Sequence, residues 1–590
     1  MSLSFFSELK RRNVVRVAIA YLVFSWLILQ VSDVILGNIE APRWIFRVIL
    51  LVLACGLPPA LLFAWAFELT PEGLKRESEV PRSQSIVSRT GRKLDFVIIG
   101  VLVVAVGFLL VERFTADKTA TVETVNTSAA PAMDARKSVA VIPFVNMSDD
   151  EQNEYFSDGI SEELLNVLVG IDGLRVPSRT SSFSFKGSQL KVTEIGQQLG
   201  VDHVLEGSVR KDGDRIRVTA QLVDVRTDTH LWSETYTRKL DDIFAVQDEI
   251  ARAIVAALEI TLSGGDEKKL GAHSTDNVAA YNKYLQGRHL WNQRSPRSLL
   301  AAVEPLREAV ELDPGFSQAW AALADTYVLF PEYGVGSVAE SIPLAREATQ
   351  RALAINPDSA RALTTSGYYK ASFDYDWDGA NRDFARAIAL EPGYATAHHW
   401  FGEVLVAQGR LDEALEQMHA AAEADPLSAV IRHVPGFFLL YSNRLDEAEA
   451  QYLSTLELDP NFFWTFQNLD ILYTLRGDYA KARKMAQRAA ELKGVDPAPD
   501  LARIDAIENP ALKPRALALL EQRQDILEGV FGRAMQYALL GEQDLALDSL
   551  ERAFEVGDPW AIHMNWVFIY APLHSNPRFQ AMLRKMHQLP

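Results

Sequence analysis

The stretch Ala380-Asn-Arg-Asp-Phe384-Ala-Arg-Ala387-Ile-Ala-Leu-Glu-Pro392 carries the pattern that decides the fold of the C-terminal half of this chain. A small, a large and a small side chain stand 12, 8 and 5 residues before a proline. Five prolines have such a pattern upstream, and the last four follow one another at 35, 34 and 34 residues: Pro314, Pro357, Pro392, Pro426 and Pro460. A period near 34 residues predicts a solenoid of antiparallel helix pairs.

The first helix of each predicted pair has its own signature. Trp320-Ala-Ala-Leu323-Ala-Asp-Thr-Tyr327 is similar to Trp-x2-Leu-Gly-x2-Tyr of the tetratricopeptide repeat (TPR), with Ala in the Gly position. Gly367, Gly402 and Gly436 occupy that small-residue position in the next three repeats, where two helices cross closely. We expect an all-α TPR superhelix of about seven repeats over residues 277–590, with an inserted loop at 330–341 and a degenerate repeat or spacer at 495–528.

Stacked repeats form a concave surface that binds other proteins in many solenoids. The resemblance to TPR families implies that contact residues stand at fixed offsets from the Trp position. A mixture of aromatic and polar groups there suits a peptide or a partner helix, whereas packing between adjacent repeats is the alternative for some of them. The implied groove residues are Arg361, Thr364, Tyr368, His399, Glu403, His433, Phe437, Trp464, Gln467 and Ile471.

The N-terminal part is far more apolar than the rest of the chain. Residues 14–35, 45–67 and 94–111 each approach the ~20 apolar residues that a helix needs to cross a bilayer. They predict a membrane domain over residues 1–114 with three transmembrane α-helices. Pro58 and Pro59 must kink the second segment or end a helix there, which leaves a re-entrant segment as an alternative.

Basic residues predict the orientation of these segments. Lys10, Arg11 and Arg12 precede the first, and six lysines and arginines lie between the second and the third. Under the positive-inside rule the N-terminus is cytoplasmic, and the C-terminal domains are periplasmic in a bacterial inner membrane. A re-entrant second segment would instead place the C-terminal domains in the cytoplasm.

Residues 115–137 lack hydrophobic periodicity and predict a flexible linker. Residues 138–262 then alternate strand and helix patterns: strands at 138–144, 203–210, 215–225 and 231–238, and helices at 154–170, 192–199 and 243–262. We expect a two-layer α/β domain. Asp158, Glu162 and Glu163 fall near the start of its first helix, where the helix dipole favours carboxylates.

Four motifs within this domain resemble the TolB amino-terminal-like (FlgO-like) domain. They are Val139-Ala-Val-Ile-Pro-Phe144, Tyr155-Phe-Ser-Asp-Gly-Ile-Ser-Glu-Glu-Leu164, Val201-Asp-His-Val-Leu-Glu-Gly-Ser-Val-Arg210 and Leu231-Trp-Ser-Glu-Thr-Tyr236. In bacterial regulators such a domain commonly precedes a TPR array and often follows a nucleotide cyclase or a winged helix. The resemblance implies a bacterial envelope-associated accessory or signalling module, although this chain has hydrophobic segments in front instead.

Composition and motifs argue against nucleic-acid binding, a cysteine-based zinc site and catalysis. The formal net charge of −18 argues against a general nucleic-acid binder, and the lone Cys55 excludes a cysteine-based zinc cluster. No phosphate-binding loop, His-Glu-x2-His or nucleophile elbow occurs. We therefore predict no enzyme and no catalytic, cofactor or metal site. The expected partners are a protein or peptide and the lipid bilayer.

The leading hypothesis is a membrane-anchored scaffold for protein–protein interaction in the periplasm. The alternative is a transmembrane signalling protein that senses a periplasmic partner or ligand.

Overall fold

The computed structural model describes residues 137–590 except 149, 151–152, 271–272, 524–528 and 590, together with 21, 25, 28, 53, 56, 67–70 and 73–76. The chain divides into two compact units, Met1–Met133 and Asp134–Pro590. The α/β segment and the helical array therefore belong to one unit.

Little of the first unit is described. Strands β1 (Phe67–Thr70) and β2 (Gly73–Arg76) form an antiparallel hairpin. The Tyr21 hydroxyl donates a hydrogen bond to the Leu53 carbonyl oxygen at 2.8 Å. The three predicted spans and the predicted linker otherwise lie outside the described residues, except that Lys137 already begins a strand. Among the described helices, none combines the length and the apolar character that a bilayer crossing requires.

The second unit begins with a mixed sheet in the strand order β5-β3-β6-β7-β8, and β4 also pairs with β6. β3 runs parallel to β5 and β6, whereas β6, β7 and β8 are antiparallel neighbours. The strands are β3 (Lys137–Val141), β4 (Val145–Asn146), β5 (Leu174–Arg175), β6 (His203–Asp212), β7 (Arg215–Asp224) and β8 (Thr229–Lys239). Gly213, with φ of +57°, lies in the tight turn between β6 and β7, as the Asp-Gly pair predicts.

Five helices accompany the sheet: α1 (Glu154–Val169), α2 (Arg179–Phe183), α3 (Val192–Leu199), α4 (Ile243–Ala257) and α5 (Gly264–Leu270). α1 and α4 cover one face, where Val139 and Val141 of β3 share a core with Ile160 of α1. α3 packs on the opposite face against Ala140 and Val204. The predicted two layers therefore describe only part of the domain, because β3 and the start of β6 are covered on both faces.

The rest of the unit is a helical array. Eight helix pairs follow one another within the described residues, so residues 495–528 contain a further pair, and the loop before Val338 is the predicted insertion. The pairs are α6 (Val278–Asn292) with α7 (Pro296–Leu312), α8 (Ser317–Leu329) with α9 (Val338–Ile355), α10 (Ala360–Tyr369) with α11 (Trp377–Leu390), α12 (Ala395–Ala407) with α13 (Leu411–Ala424), α14 (Ala429–Tyr441) with α15 (Leu445–Leu458), α16 (Phe463–Leu475) with α17 (Tyr479–Lys493), α18 (Ala498–Glu508) with α19 (Lys513–Gln522), and α20 (Gly529–Leu539) with α21 (Gln543–Val556).

The small-large-small pattern explains how each pair packs. Ala380, Phe384 and Ala387 are fully buried on α11. A Cβ atom placed on Gly367 of α10 would lie 2.7 Å from the Phe384 ring, so the helices approach too closely there for any side chain on Gly367. Two 3₁₀ helices (Pro559–His563 and Phe568–Leu573) and α22 (Pro577–Lys585) complete the chain.

Candidate protein-interaction surface

The first helices of the pairs, α6, α8, α10, α12, α14 and α16, form a surface that we term the inner face. All ten groove residues implied by the TPR resemblance lie on its last four helices. None of the ten is exposed: Thr364, Tyr368, His433 and Ile471 are buried, and the other six are partly buried. All ten thus lie on first helices of pairs, and their access to solvent is limited.

On α10, two of the three implied groove residues contact other helices of the array. Arg361 Nη1 donates to Asp325 Oδ2 of α8 at 3.2 Å. Thr364 turns inward and donates to the Ala360 carbonyl oxygen at 2.9 Å. The Tyr368 ring lies 4.7 Å from the Trp400 ring of α12, centroid to centroid. Packing between neighbouring repeats therefore accounts for Arg361 and Tyr368, whereas Thr364 is bonded within its own helix.

On α12, His399 pairs with Glu403, with 3.2 Å between Nε2 and Oε1. On α14, His433 is enclosed, with Nδ1 3.0 Å from Thr465 Oγ1 and Nε2 3.0 Å from Asn468 Nδ2. Burial lowers the pKa of His433 to about 3, so the ring is neutral at physiological pH. This histidine joins two repeats and is not available to a partner.

The C-terminal segment covers Phe437 of α14. The Phe437 ring lies 5.6 Å from the Trp560 ring and 6.0 Å from the Trp566 ring. The end of the chain also returns to the third pair, because Trp377 Nε1 donates to the Met586 carbonyl oxygen at 2.8 Å. The array thus closes on itself, and its own C-terminus occupies this part of the inner face.

Trp464 and Gln467 of α16 are implied groove residues whose contacts, within the described residues, stay inside their own helix pair. Within the described residues, the Trp464 ring contacts Phe463, at 4.7 Å between ring centroids, and Lys493 of the same helix pair. Gln467 Oε1 accepts a hydrogen bond from Lys493 Nζ at 3.4 Å. Both side chains stay partly open to solvent, whereas Ile471 on the same helix is buried.

The α/β domain covers the beginning of the inner face. α1 packs along α6, and Gly159 permits the close approach, because a Cβ atom there would lie 2.7 Å from Leu285. Phe156, Ile160 and Tyr284 belong to the same continuous apolar core. The domain is therefore built into the array.

Charged groups complete this contact. Arg288 Nη2 of α6 donates to Glu162 Oε1 at 2.8 Å, and Arg179 Nε of α2 donates to Glu162 Oε2 at 2.7 Å. Asn292 Nδ2 donates to the same Glu162 Oε2 at 3.1 Å. Burial alone would raise the pKa of Glu162, but the two guanidinium groups outweigh it and lower that pKa to about 2. Glu162 is therefore ionised and paired.

The neighbouring carboxyl group behaves in the opposite way. Burial and the negative charge of Glu162 raise the pKa of Glu163 to about 7. Its Oε1 atom accepts a hydrogen bond from Asn166 Nδ2 at 3.1 Å, and the Tyr284 hydroxyl lies 3.4 Å away. The same helix thus presents to the array one carboxyl group that is ionised and one that titrates near neutral pH.

A second contact lies farther along the array. The Ser178 backbone N–H donates to the Ala424 carbonyl oxygen at 2.8 Å, and Ser181 Oγ donates to Asp425 Oδ1. The Leu427 backbone N–H donates back to Ser181 Oγ at 2.8 Å. These serines of residues 178–181 therefore attach α2 to the turn that follows α13.

The functional residues that the sequence reasoning missed are those of this junction. The helix pattern predicts Asp158, Glu162 and Glu163 as carboxylates of a helix N-terminus, yet all three are buried against α6 or α2 and its following turn. The available signal was their position on the helix, because Asp158 and Glu162 lie one turn apart next to the apolar Ile160 and Leu164. Among the described residues, no group of histidine, cysteine and carboxylate side chains has the arrangement of a metal site.

Comparison with known proteins finds a family match in each part of this unit. Residues 135–253 match the family described as HilA/YgeH-like transcriptional regulator, second domain. Residues 374–433 match the tetratricopeptide repeat family. The helical array therefore contains a TPR region, as predicted. The TolB-like resemblance of the α/β domain stays a prediction.

Relatives share parts of the chain. A protein named putative adenylate cyclase 3 from Rhizobium meliloti (strain 1021) is 42% identical over 194 residues, which are 33% of each chain. The transcriptional regulator HilA of Salmonella typhimurium is 24% identical over 295 residues, which cover 50% of this chain and 51% of HilA. The chain thus spans a third to a half of the lengths of these relatives.

Two solved structures are similar to parts of this chain. PilF of Pseudomonas aeruginosa is 18% identical, with a TM-score of 0.30 over 39% of this chain and 97% of its own. A thermophilic TPR protein of Thermus thermophilus, TTC0263, is 22% identical, with a TM-score of 0.28 over 32% of this chain and 95% of its own.

Proposed function

We propose that this chain is a protein-interaction scaffold that is anchored in a bacterial inner membrane and holds its TPR array in the periplasm. The TPR array is the observation that carries the proposal, because such arrays bind protein partners through their curved surface. The hydrophobic segments at 14–35, 45–67 and 94–111 support the anchor, and the basic residues beside them support the orientation. The TolB-like motifs support an envelope location.

The covered inner face restricts where a partner binds. The α/β domain occupies the side of α6, and the C-terminal segment occupies α14 around Phe437. Trp464 and Gln467 of α16 keep contact with solvent. We therefore place the partner-binding surface at this part of the array, where an aromatic anchor stands beside a hydrogen-bonding amide.

Signalling is the second candidate function, and the HilA-type match at residues 135–253 favours it. One relative is named as a transcriptional regulator and another as a putative adenylate cyclase, so the shared portion suits an accessory module of regulatory proteins. Because this module is joined to the array by the buried ion pair between Arg288 and Glu162, a partner that shifts the array would also shift the α/β domain.

Two measurements on the full chain test the proposal. C-terminal fusions to alkaline phosphatase and to a cytoplasm-active fluorescent protein report the side of the membrane, and phosphatase activity without fluorescence is expected. Affinity purification from cells should yield a stoichiometric partner that is lost when Trp464 and Gln467 are both replaced by Ala. Leu453→Ala on the exposed side of α15 is the matched control. A fluorescent fusion would overturn the topology, and a partner that survives the double replacement would overturn the surface.

An assay of adenylate cyclase activity tests the alternative that this protein is an enzyme. The purified full chain should convert no ATP to cyclic AMP above a heat-inactivated control. Cyclic AMP formation that scales with protein concentration would contradict the scaffold proposal and show that the protein is an enzyme.

A further inference from the structure

Among the strands that the structure describes, β8 forms an open edge of the sheet. It pairs with β7 on one side and ends the strand order on the other. Trp232 and Tyr236 are its only covered residues; the other nine residues of Thr229–Lys239 are exposed. An edge of this length presents unpaired backbone N–H and C=O groups and is a template for another strand.

β8 has the residue composition of a regular β-strand. Its central residues Thr235, Tyr236 and Thr237 have high β-propensity, and the strand contains neither proline nor glycine. A bulge interrupts the pairing with β7 at Leu231, because Leu222 opposes Trp232 whereas Val223 opposes His230. The bulge limits the regular edge to the eight residues from Trp232 to Lys239.

This regular edge is complementary in charge to itself. An antiparallel pair of two β8 strands centred on Tyr236 places Glu234 of one copy opposite Arg238 of the other, twice by symmetry. The same register places Thr235 opposite Thr237. Opposite charges and paired threonines stabilise antiparallel neighbours, so no like charges face each other in this register.

Helix α4 extends the complementarity beside the edge. Its exposed residues Ala245, Glu249, Arg252 and Ala256 follow one another at helical spacing on one face. Glu249 Oε2 lies 3.5 Å from Arg238 Nη2, so this face borders β8. Two antiparallel copies of the stripe bring Glu249 near Arg252 of the second copy, and the alanines at both ends permit close approach. Within one copy Arg252 pairs with Glu267 at 2.7 Å.

We infer that β8 is a self-association surface whose occupant is β8 of a second copy of this chain, in the antiparallel register centred on Tyr236. Two sheets then continue as one across the two-fold axis, and the α4 helices lie side by side on it. The surface lies on the α/β domain and is separate from the partner site proposed on α16.

Charge reversal tests this register in the full chain. Sedimentation velocity over a range of concentrations should show a monomer–dimer equilibrium for the unchanged chain. Glu234→Arg and Arg238→Glu, each alone, should weaken dimerisation roughly tenfold or more, because both symmetric pairs become repulsive. The double variant should restore the original dissociation constant to within about threefold, since each pair is rebuilt with its charges exchanged.

Arg297→Glu is the matched control, because Arg297 is exposed at the start of α7 and remote from β8 in sequence. It should leave the dissociation constant unchanged, and circular dichroism should give the same helix content for all variants. A chain that stays monomeric at every concentration would overturn the inference. A dimer that is indifferent to both single reversals, or that the double reversal does not restore, would exclude this register.

Discussion

Arg288 on α6 and Glu162 on α1 form a buried ion pair between the TPR array and the α/β domain, with 2.8 Å between Nη2 and Oε1. Only 5% and 6% of the two side chains remain exposed. Arg179 and Asn292 supply further donors, so the charge is compensated by hydrogen bonds from both parts of the unit. A buried charge is stable only with such compensation, which makes the pair a condition for docking the domain on the array.

Removing one partner should therefore destabilise the unit more than removing both. Arg288→Met leaves Glu162 buried with less compensation, and we expect a loss of about 3 kcal/mol in the free energy of unfolding. Adding Glu162→Gln to Arg288→Met should recover part of that loss, because the uncompensated charge is gone. Thermal unfolding followed by circular dichroism measures both effects. Arg297→Met, at an exposed position, should change the melting temperature little.

The packing at Gly402 gives a second prediction. A Cβ atom there would lie 3.2 Å from the Ala414 carbonyl oxygen and 3.2 Å from the Met418 sulfur. Gly402→Leu should lower the free energy of unfolding by about 1–3 kcal/mol, because the added side chain overpacks a close helix crossing. Gly393→Leu is the control, since nothing lies within 4 Å of a Cβ atom at Gly393. Equal melting temperatures for both variants would contradict the repeat register.

The sequence predicted most of the array because each repeat follows one local rule. The spacing of Ala380, Phe384 and Ala387 before Pro392 is enough to predict a helix pair and its buried face. The strands of the α/β domain could also be predicted from the sequence, since alternating apolar and polar residues and an Asp-Gly turn are local signals. The closure of the array could not be predicted from the sequence. The contact between Trp377 and Met586 joins residues 209 positions apart, and no repeat pattern in the sequence indicates it.

Contacts that cover the inner face likewise cannot be predicted from the repeat pattern. Phe437 and His433 lie on the first helix of a pair. The TPR offsets contain no information about what covers that helix. Trp560 and Trp566 come from a segment without repeats, and α1 comes from another domain. Whether a groove is open thus depends on tertiary contacts that no repeat pattern records.

Acid should destabilise the array through His433. Its folded pKa of about 3 lies below the ordinary value of 6.5, so the unfolded chain binds a proton first as the pH falls. The neutral ring stabilises the fold fully above about pH 6.5, and this contribution is lost as the pH falls from about 6.5 towards 3. From about pH 7 to about pH 5.5 the loss should be about 1 kcal/mol from this residue.

Replacing the ring isolates that contribution. His433→Gln lowers stability at pH 7, because the bonds to Thr465 and Asn468 are altered, but it removes the titrating group. The change in melting temperature between pH 7 and pH 5.5 should accordingly be smaller in His433→Gln than in the unchanged chain. His419→Gln, at an exposed position on α13, should keep the full pH dependence. An identical dependence in all three proteins would show that His433 is not buried as described.

The raised pKa of Glu163 predicts that its contribution to stability has the opposite dependence on pH. Its folded pKa of about 7 lies above the ordinary value of 4.5, so the folded state holds a proton that the unfolded chain has already released between these values. The contribution of the protonated side chain is complete below pH 4.5 and is lost as the pH rises through 7. Glu163→Gln keeps an uncharged acceptor for Asn166 and Tyr284 and removes the cost of ionisation beside Glu162.

Glu163→Gln should therefore raise the melting temperature at pH 8, by a gain of about 1–3 kcal/mol in the free energy of unfolding, and change it little at pH 4.5. Glu457→Gln, at an exposed position on α15, is the control and should alter neither value. The comparison depends on the junction between the α/β domain and the array, because the raised pKa of Glu163 arises from burial there and from the paired charge of Glu162. A variant that is destabilised at pH 8 would mean that Glu163 is ionised and held by a cation in the folded protein, and the electrostatic account of the junction would have to be reversed.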